Sequence, residues 1–270
     1  MTLLSSGYQV SRVSRNIDSR DILNRMNHDN ILLIDKPAGW TSFDVVAKIR
    51  GRIRFEYKQS GIAPTKKQLR VGHAGTLDPF ATGLLIVLLG DSCKRAGEFL
   101  KLDKIYEATV ELGKTSTTGD PEGEIIKWGK AQESAELLGI SRVVPNTQPT
   151  RQTVLETLEG LTGQIMQKPP AFSAIKVGGK RAYDLARAGK VVDIPERAVT
   201  IYELELLNYN WPLVKIRAHV SSGTYIRTLA EDIGKALGTG AYCKELRRTS
   251  IADWNVADAV SVEDWKCSLL

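Results

Sequence analysis

A chain of 270 residues with 42% hydrophobic and 25% charged side chains can bury a substantial core, which excludes a mostly disordered or fibrous protein. No run approaches the roughly 20 apolar residues that cross a bilayer, and Cys93, Cys243 and Cys267 form neither a C-x-x-C pair nor a disulfide framework. The net charge of +6 permits a polyanionic partner without requiring one, so its distribution matters more than its total.

Residues 1–29 are polar, rich in Ser and Arg and without sustained periodicity, and read as an N-terminal tail or extension. They lack the apolar core of a secretory signal, and Asp18, Asp21 and Asp29 argue against a mitochondrial presequence, so a cytoplasmic location is expected. Ile31 to Ile34 predicts a strand, Lys36-Pro37-Ala38-Gly39 a turn, and Thr41 or Ser42 the cap of a helix beginning near Phe43. The basic stretch 51–69, punctuated by Gly61 and Pro64, reads as an exposed connection. Gly72 to Pro79 is a glycine-rich loop leading into an apolar strand, Leu84 to Leu89. In that loop Asp78 precedes a proline and is pushed away from helical geometry.

Tyr106 to Leu112 alternates as a half-buried strand does, and Thr115 to Gly123 reads as a polar loop. Helices are expected at Gln132–Leu138, Thr153–Leu161 and Arg181–Ala188, strands at Ile201–Tyr209 and Val214–Val220, and a helix at Thr224–Leu237 closed by Gly238. Strands and helices do not alternate regularly, which predicts an α+β fold on a mixed, largely antiparallel sheet. Residues 30–252 are expected to form one domain, with a basic insertion at about 51–69, and 253–270 a short C-terminal tail.

Basic residues gather in three places. Arg50, Arg52, Arg54, Lys58, Lys66, Lys67 and Arg70 face a single acid, Glu56. A second group holds Lys176, Lys180, Arg181, Arg187 and Lys190, and a third Lys244, Arg247 and Arg248. Each alone reads as solvated surface; together, flanking the motifs below, they suggest a phosphate-facing groove. His28, His73 and His219 are too scattered for a metal motif, and no metal or cofactor is expected.

The sequence Gly-His-Ala-Gly-Thr-Leu-Asp-Pro at 72–79 places one imidazole and one carboxylate in a flexible loop, and read alone it is equally a turn in which Asp78 bonds its own backbone. With its sequel Phe80-Ala81-Thr82-Gly83-Leu84-Leu85 it resembles the catalytic signature of the TruB family of pseudouridine synthases. Further blocks resemble that family in order: Leu33 to Ser42, Asp103 to Tyr106, Pro169 to Lys176, Gly223 to Arg227, and Leu246-Arg247-Arg248. Together they cover roughly residues 31–250.

The resemblance implies the pseudouridine synthase catalytic fold, with a largely antiparallel central sheet flanked by helices and loops. It also implies isomerisation of uridine 55 in the T-loop of tRNA. Asp78 matches the catalytic aspartate, Arg227 the arginine that pairs with it, and Tyr106 the tyrosine that stacks on the target base. His73 matches a residue that intrudes into the RNA, and Leu246 an apolar wall of the pocket. Lys36, Lys176, Arg247 and Arg248 lie in the matching motifs and are expected to contact RNA. Many members carry a C-terminal PUA-type domain that this chain is expected to lack, and 51–69 is longer than the family's segment.

The resemblance points to tRNA as partner, with no membrane association, no obligatory protein partner and a monomeric state. Three rivals remain at this stage: a guide-RNA-dependent relative, an RNA chaperone with little catalysis, and a hydrolase using Asp78. The last needs a second carboxylate nearby, and the motifs mark none.

Overall fold

Strand Thr82–Leu89 is buried from Gly83 to Leu88, and the reason is that both of its faces are covered. Leu85 and Val87 pack on one side with Ile34, Val45, Val46, Ile49 and Ile53. Leu84, Ile86 and Leu88 pack on the other with Ile31, Leu33, Phe99 and Ile251. A strand with two apolar faces belongs in the interior of a sheet, which is where it lies.

The computed structural model describes residues 30–129, 148–170, 172–173, 175–177, 179–182 and 194–267. In chain order the elements are β1 (Ile31–Lys36), α1 (Ser42–Gln59), β2 (Val71–Ala74), β3 (Thr82–Leu89), a 3-10 turn (Gly90–Arg95) and α2 (Ala96–Leu100). These are followed by β4 (Lys104–Leu112), β5 (Lys114–Ser116), β6 (Ile125–Lys127), α3 (Arg151–Gly160), β7 (Gly163–Gln167), β8 (Lys176–Val177) and β9 (Lys180–Arg181). The chain continues with β10 (Arg197–Asn210), β11 (Leu213–Val220), α4 (Ile226–Ala236), β12 (Ala241–Ile251), β13 (Trp254–Asn255), a second 3-10 turn (Val256–Asp258) and β14 (Val260–Ser261). The main sheet runs β14-β1-β3-β12-β4-β11-β10-β7, with β2 added to β3 and β13 to β12. All pairings are antiparallel except β1 with β14 and β3 with β12. The expected α+β architecture on a mixed, largely antiparallel sheet is what the chain adopts. No helix among the described residues is long and apolar enough to cross a membrane.

The segment 51–69 differs from the expectation. α1 begins with a capping box between Thr41 and Asp44 and runs through Gly51 to Gln59. It continues because Ile53 and Tyr57 prolong the four-residue stripe of Val45 and Ile49 against the sheet. Gly51 sits on the outer face, where a Cβ would meet nothing within 4 Å, so it costs helix propensity without ending the helix. Residues 253–267, expected as a tail, are folded onto the domain. β14 pairs with β1, Val262 is fully buried, and the Arg52 guanidinium donates to the carbonyls of Val262 and Trp265. The helix expected at Gln132–Leu138 lies outside the described residues, as does Arg181–Ala188 beyond Ala182.

At the far end of β4 from Tyr106, Glu111 is buried beneath three donors: Lys114 Nζ at 2.6 Å, Lys244 Nζ at 2.8 Å and Tyr242 Oη at 2.8 Å. Burial alone would raise its pKa, but the three donors outweigh it and hold the carboxyl down at about 2. A depressed carboxylate stabilises the fold above its unfolded pKa, and the contribution fades as pH falls from about 4.5 toward about 2. Glu111→Gln is therefore expected to cost about 3 kcal/mol near neutrality. In urea titrations the gap between wild type and variant should close as the pH is lowered through that window, and a pH-independent gap would contradict the assignment.

Candidate active site

The parallel contact between β3 and β12 forces a close approach. Gly83 lies opposite Arg248, with φ of +103°, and a Cβ there would stand 2.2 Å from the Arg248 carbonyl oxygen. Only glycine fits this position. The loop between β2 and β3 is thereby laid across the middle of the sheet, over the start of β4.

Two buried cations pin that loop from below. Lys36 is fully buried and its Nζ donates to the carbonyls of Trp40 at 2.6 Å, Pro37 at 3.0 Å and Pro79 at 3.2 Å. Burial lowers its pKa to about 8, partly offset by the Asp78 charge. Arg248, 1% exposed, donates from Nε to Leu84 O at 2.7 Å and from Nη2 to Gly75 O at 3.0 Å. Gly39 N donates to Pro79 O at 2.8 Å, and Ser42 Oγ bonds both the N–H and the carbonyl of Leu77 at 2.9 and 3.1 Å. Lys36 and Arg248 were expected to meet RNA. In the structure their hydrogen bonds run to backbone carbonyls inside the protein, where they act as clamps on the loop.

Asp78 stands at the end of that loop with a third of its side chain open to solvent, and the Arg227 guanidinium lies against it. Nε is 2.9 Å from Oδ2, a charge contact out of hydrogen-bonding line, while Nη2 donates to Oδ1 at 3.3 Å. Arg227 is 4% exposed and its two terminal nitrogens are engaged: Nη1 donates to Asp120 Oδ2 at 3.0 Å and Thr118 O at 2.9 Å, and Nη2 to Phe172 O at 2.9 Å. The guanidinium thus joins two carboxylates, Asp78 at the opening and Asp120 buried behind it. Asp120 is fixed in turn by Thr118 Oγ1 at 2.5 Å and the Glu122 N–H at 3.0 Å. Crowding by protein atoms raises the Asp78 pKa above its ordinary value. Arg227 opposes the rise, Asp120 adds to it and Lys36 again opposes it. Of the three charged groups in this chain of contacts, Asp78 alone has appreciable exposure.

Arg227 is aimed by the first turn of α4, whose N-cap residue Tyr225 makes no side-chain cap. The buried Gln167 amide at the end of β7 instead fastens the Tyr225 backbone. Its Oε1 accepts the Tyr225 N–H at 2.7 Å and its Nε2 donates to Tyr225 O at 3.1 Å. Tyr106 and Leu246, 9% and 7% exposed, belong to one apolar cluster with Leu77 and Ala81, the residues that bracket the Asp78 turn. Tyr106 lies opposite Arg248, and Leu246 opposite Ala108.

The structure therefore brings Asp78, Arg227, Tyr106 and Leu246 to one place. Arg247, between two residues that face the loop, points to the other face of β12 by strand alternation. It makes a two-point pair with Asp35 at 2.7 and 3.0 Å. His73 is on β2, opposite Val87, rather than in the loop. Its Nδ1 is buried without a partner among the described residues, and burial, followed by the Arg248 charge, lowers its pKa. Lys176 lies in β8 opposite Arg181, and its side chain is outside the described residues.

Asp120 was missed because 115–123 read only as a polar loop. Asp120 is a second carboxylate on the Arg227 guanidinium, but at 3% exposure it lies behind the arginine rather than at the opening. Among the described residues no group of three or more His, Cys, Asp or Glu is placed to hold a metal ion.

The basic clusters also divide. Arg50 donates to Val71 O at 2.9 Å, Arg52 to the C-terminal carbonyls, and Lys67 and Arg70 pair with Asp91. Much of the expected groove charge is thus spent on internal contacts.

The chain superposes on a chain of the crystal structure of a Cbf5-Nop10-Gar1 complex with a TM-score of 0.60 and 25% identity, covering 90% of this chain and 55% of that one. The chain therefore spans about half the length of that solved protein. Residues 63–226 match the family model "TruB family pseudouridylate synthase (N terminal domain)", and 227–270 match "tRNA pseudouridylate synthase B C-terminal domain". Similar curated proteins include a tRNA pseudouridine synthase B of Phocaeicola vulgatus, 45% identical over 87% of this chain and 91% of its own length. Another, of Corynebacterium jeikeium, is 39% identical over 91% of this chain and 72% of its own length. The chain belongs to the TruB family of pseudouridylate synthases.

Proposed function

We propose that this protein isomerises uridine 55 in the T-loop of tRNA to pseudouridine, in the cytoplasm, as a monomer that needs no cofactor and no protein partner. The observation that carries the reading is the half-open Asp78 carboxylate gripped by the buried Arg227 at 2.9 Å, with Tyr106 and Leu246 beside it. Relatives named tRNA pseudouridine synthase B across most of the chain support the substrate.

Asp78 acts as the nucleophile, at C1′ of the ribose or C6 of the uracil. The glycosidic bond breaks, the base turns and bonds to the ribose through C5, and the C5 proton is lost while N1 gains one. Every substrate atom except an exchangeable proton is kept, so the steps require a nucleophile, a proton route and a closed pocket. Arg227 keeps Asp78 anionic against the burial that raises its pKa. Tyr106 stacks on the extruded base and returns part of the few kcal/mol that unstacking costs, about 1–3 per aromatic contact.

The test is to incubate an unmodified tRNA transcript with the purified chain and map pseudouridine by carbodiimide adducts and nuclease digestion with mass spectrometry. One new pseudouridine at position 55 is expected. Modification elsewhere, or none, overturns the substrate assignment.

A further inference from the structure

The cations of α1 fall into two groups by where they point. Arg50 and Arg52 turn toward the domain and are spent on backbone carbonyls. Lys48, Arg54 and Lys58 are exposed, and their side chains make no hydrogen bond or ion pair with another described residue. At 100° per residue, Phe43, Ala47, Gly51, Arg54 and Lys58 fall within an arc of about 80° opposite the buried stripe, and Lys48 and Phe55 border it. Phe43 is 62% exposed and Phe55 57%, so one bare aromatic ring begins the strip and another stands beside its far half. Between them Ala47 and Gly51 leave a shallow trough, with open space above Gly51.

The first turn of this helix is fastened to the catalytic loop from its buried side. Ser42, the residue before Phe43, bonds both backbone groups of Leu77, next to Asp78. Phe43, one residue on, begins the outer strip, and the helix carries the strip away from that junction. From Phe43 to Lys58 the axis advances about 22 Å, at about 1.5 Å per residue. The exposed charge along the way is Lys48, Arg54 and Lys58 against Asp44, whose carboxylate is occupied by the Thr41 cap. A run of unpaired cations over small residues, flanked by aromatic rings, is complementary to a sugar-phosphate backbone and offers little to an apolar partner.

The geometry points to the outer face of α1 as a second docking strip for the RNA, which grips the backbone of the substrate's stem while the target uridine occupies the Asp78 crevice. The inference rests on the proposed activity and adds where the substrate is held outside the crevice. Phe43 stacks against a base or ribose at the start of the helix; Arg54 and Lys58, about 6 Å apart along the axis, each neutralise a phosphate, as does Lys48.

The test is the triple variant Lys48→Gln, Arg54→Gln, Lys58→Gln in the full chain, with three surface changes that leave the buried stripe untouched. Dissociation constants for tRNA are measured across a salt series, with kcat and KM for its modification. Each phosphate contact contributes about 0.7 to 0.9 to the salt slope, so the slope of log affinity against log salt is expected to fall by about 2 to 3. KM is expected to rise about tenfold and kcat to stay within a factor of about two. Phe43→Ala is expected to raise KM with the salt slope unchanged.

An unchanged slope and KM in the triple variant overturn the proposal and leave the strip to a second copy of the chain or another protein. A loss of kcat alone overturns it as well. If wild type binds tRNA but makes no pseudouridine, the activity assignment fails, and the salt slopes of the two proteins still decide the docking strip.

Discussion

Arg227→Gln is expected to slow uridine conversion at neutral pH by at least about 100-fold and to move the acid limb of the pH–rate profile upward. The sign follows from the contacts. Burial already raises the Asp78 pKa, and Arg227 is the foremost group opposing it. Without the guanidinium the rise is larger, so the carboxylate is ionised only at higher pH and activity should partly return as the medium is made alkaline. The change also strands Asp120, buried and left without its cation, and breaking such a pair costs about 3–5 kcal/mol. A lower Tm is therefore expected beside the kinetic loss. Arg227→Lys keeps one charge, but an ammonium cannot reach Asp78, Asp120, Thr118 O and Phe172 O together, as the planar guanidinium does. It should keep more of the acid limb than glutamine does and still lose rate. An Arg227→Gln enzyme with an unshifted profile would remove the arginine from the account.

Asp78, Arg227, Tyr106 and Leu246 were legible as a set because each sits in a short motif whose resemblance to the family can be read without knowing distances. Their meeting depends on pairings far apart in sequence, Arg248 with Gly83 and Tyr106 among them, which a linear reading cannot supply. Lys36 and Arg248 show the opposite limit. A basic residue in an RNA enzyme's motif suggests a phosphate contact, yet both are buried and hold the catalytic loop by its carbonyls. Composition does not reveal which cations point inward.

Asp120 was invisible for a similar reason. In a polar loop any acid looks solvated, and only the placement of Arg227 by α4 makes this one a buried partner. The length of α1 was hidden by its basic residues, which with Gly61 and Pro64 read as an exposed connection, whereas Ile53 and Tyr57 hold the helix against the sheet.

Asp78→Asn is the substitution with the largest expected effect. The amide has nearly the shape of the carboxylate and leaves Arg227 still paired with Asp120, so the fold should be kept although the crevice loses one negative charge. An amide cannot serve as an anionic nucleophile, and loss of the nucleophile should cost at least about 1,000-fold in rate. RNA binding should stay within about threefold, because the contacts that hold RNA outside the crevice are unchanged.

The direct measurement is single-turnover release of tritium from tRNA labelled at C5 of uridine, with enzyme in excess and binding checked in the same samples. The account predicts wild-type release in one exponential and none above background from Asp78→Asn while the RNA is fully bound. Release from the bound variant at the wild-type rate would contradict it.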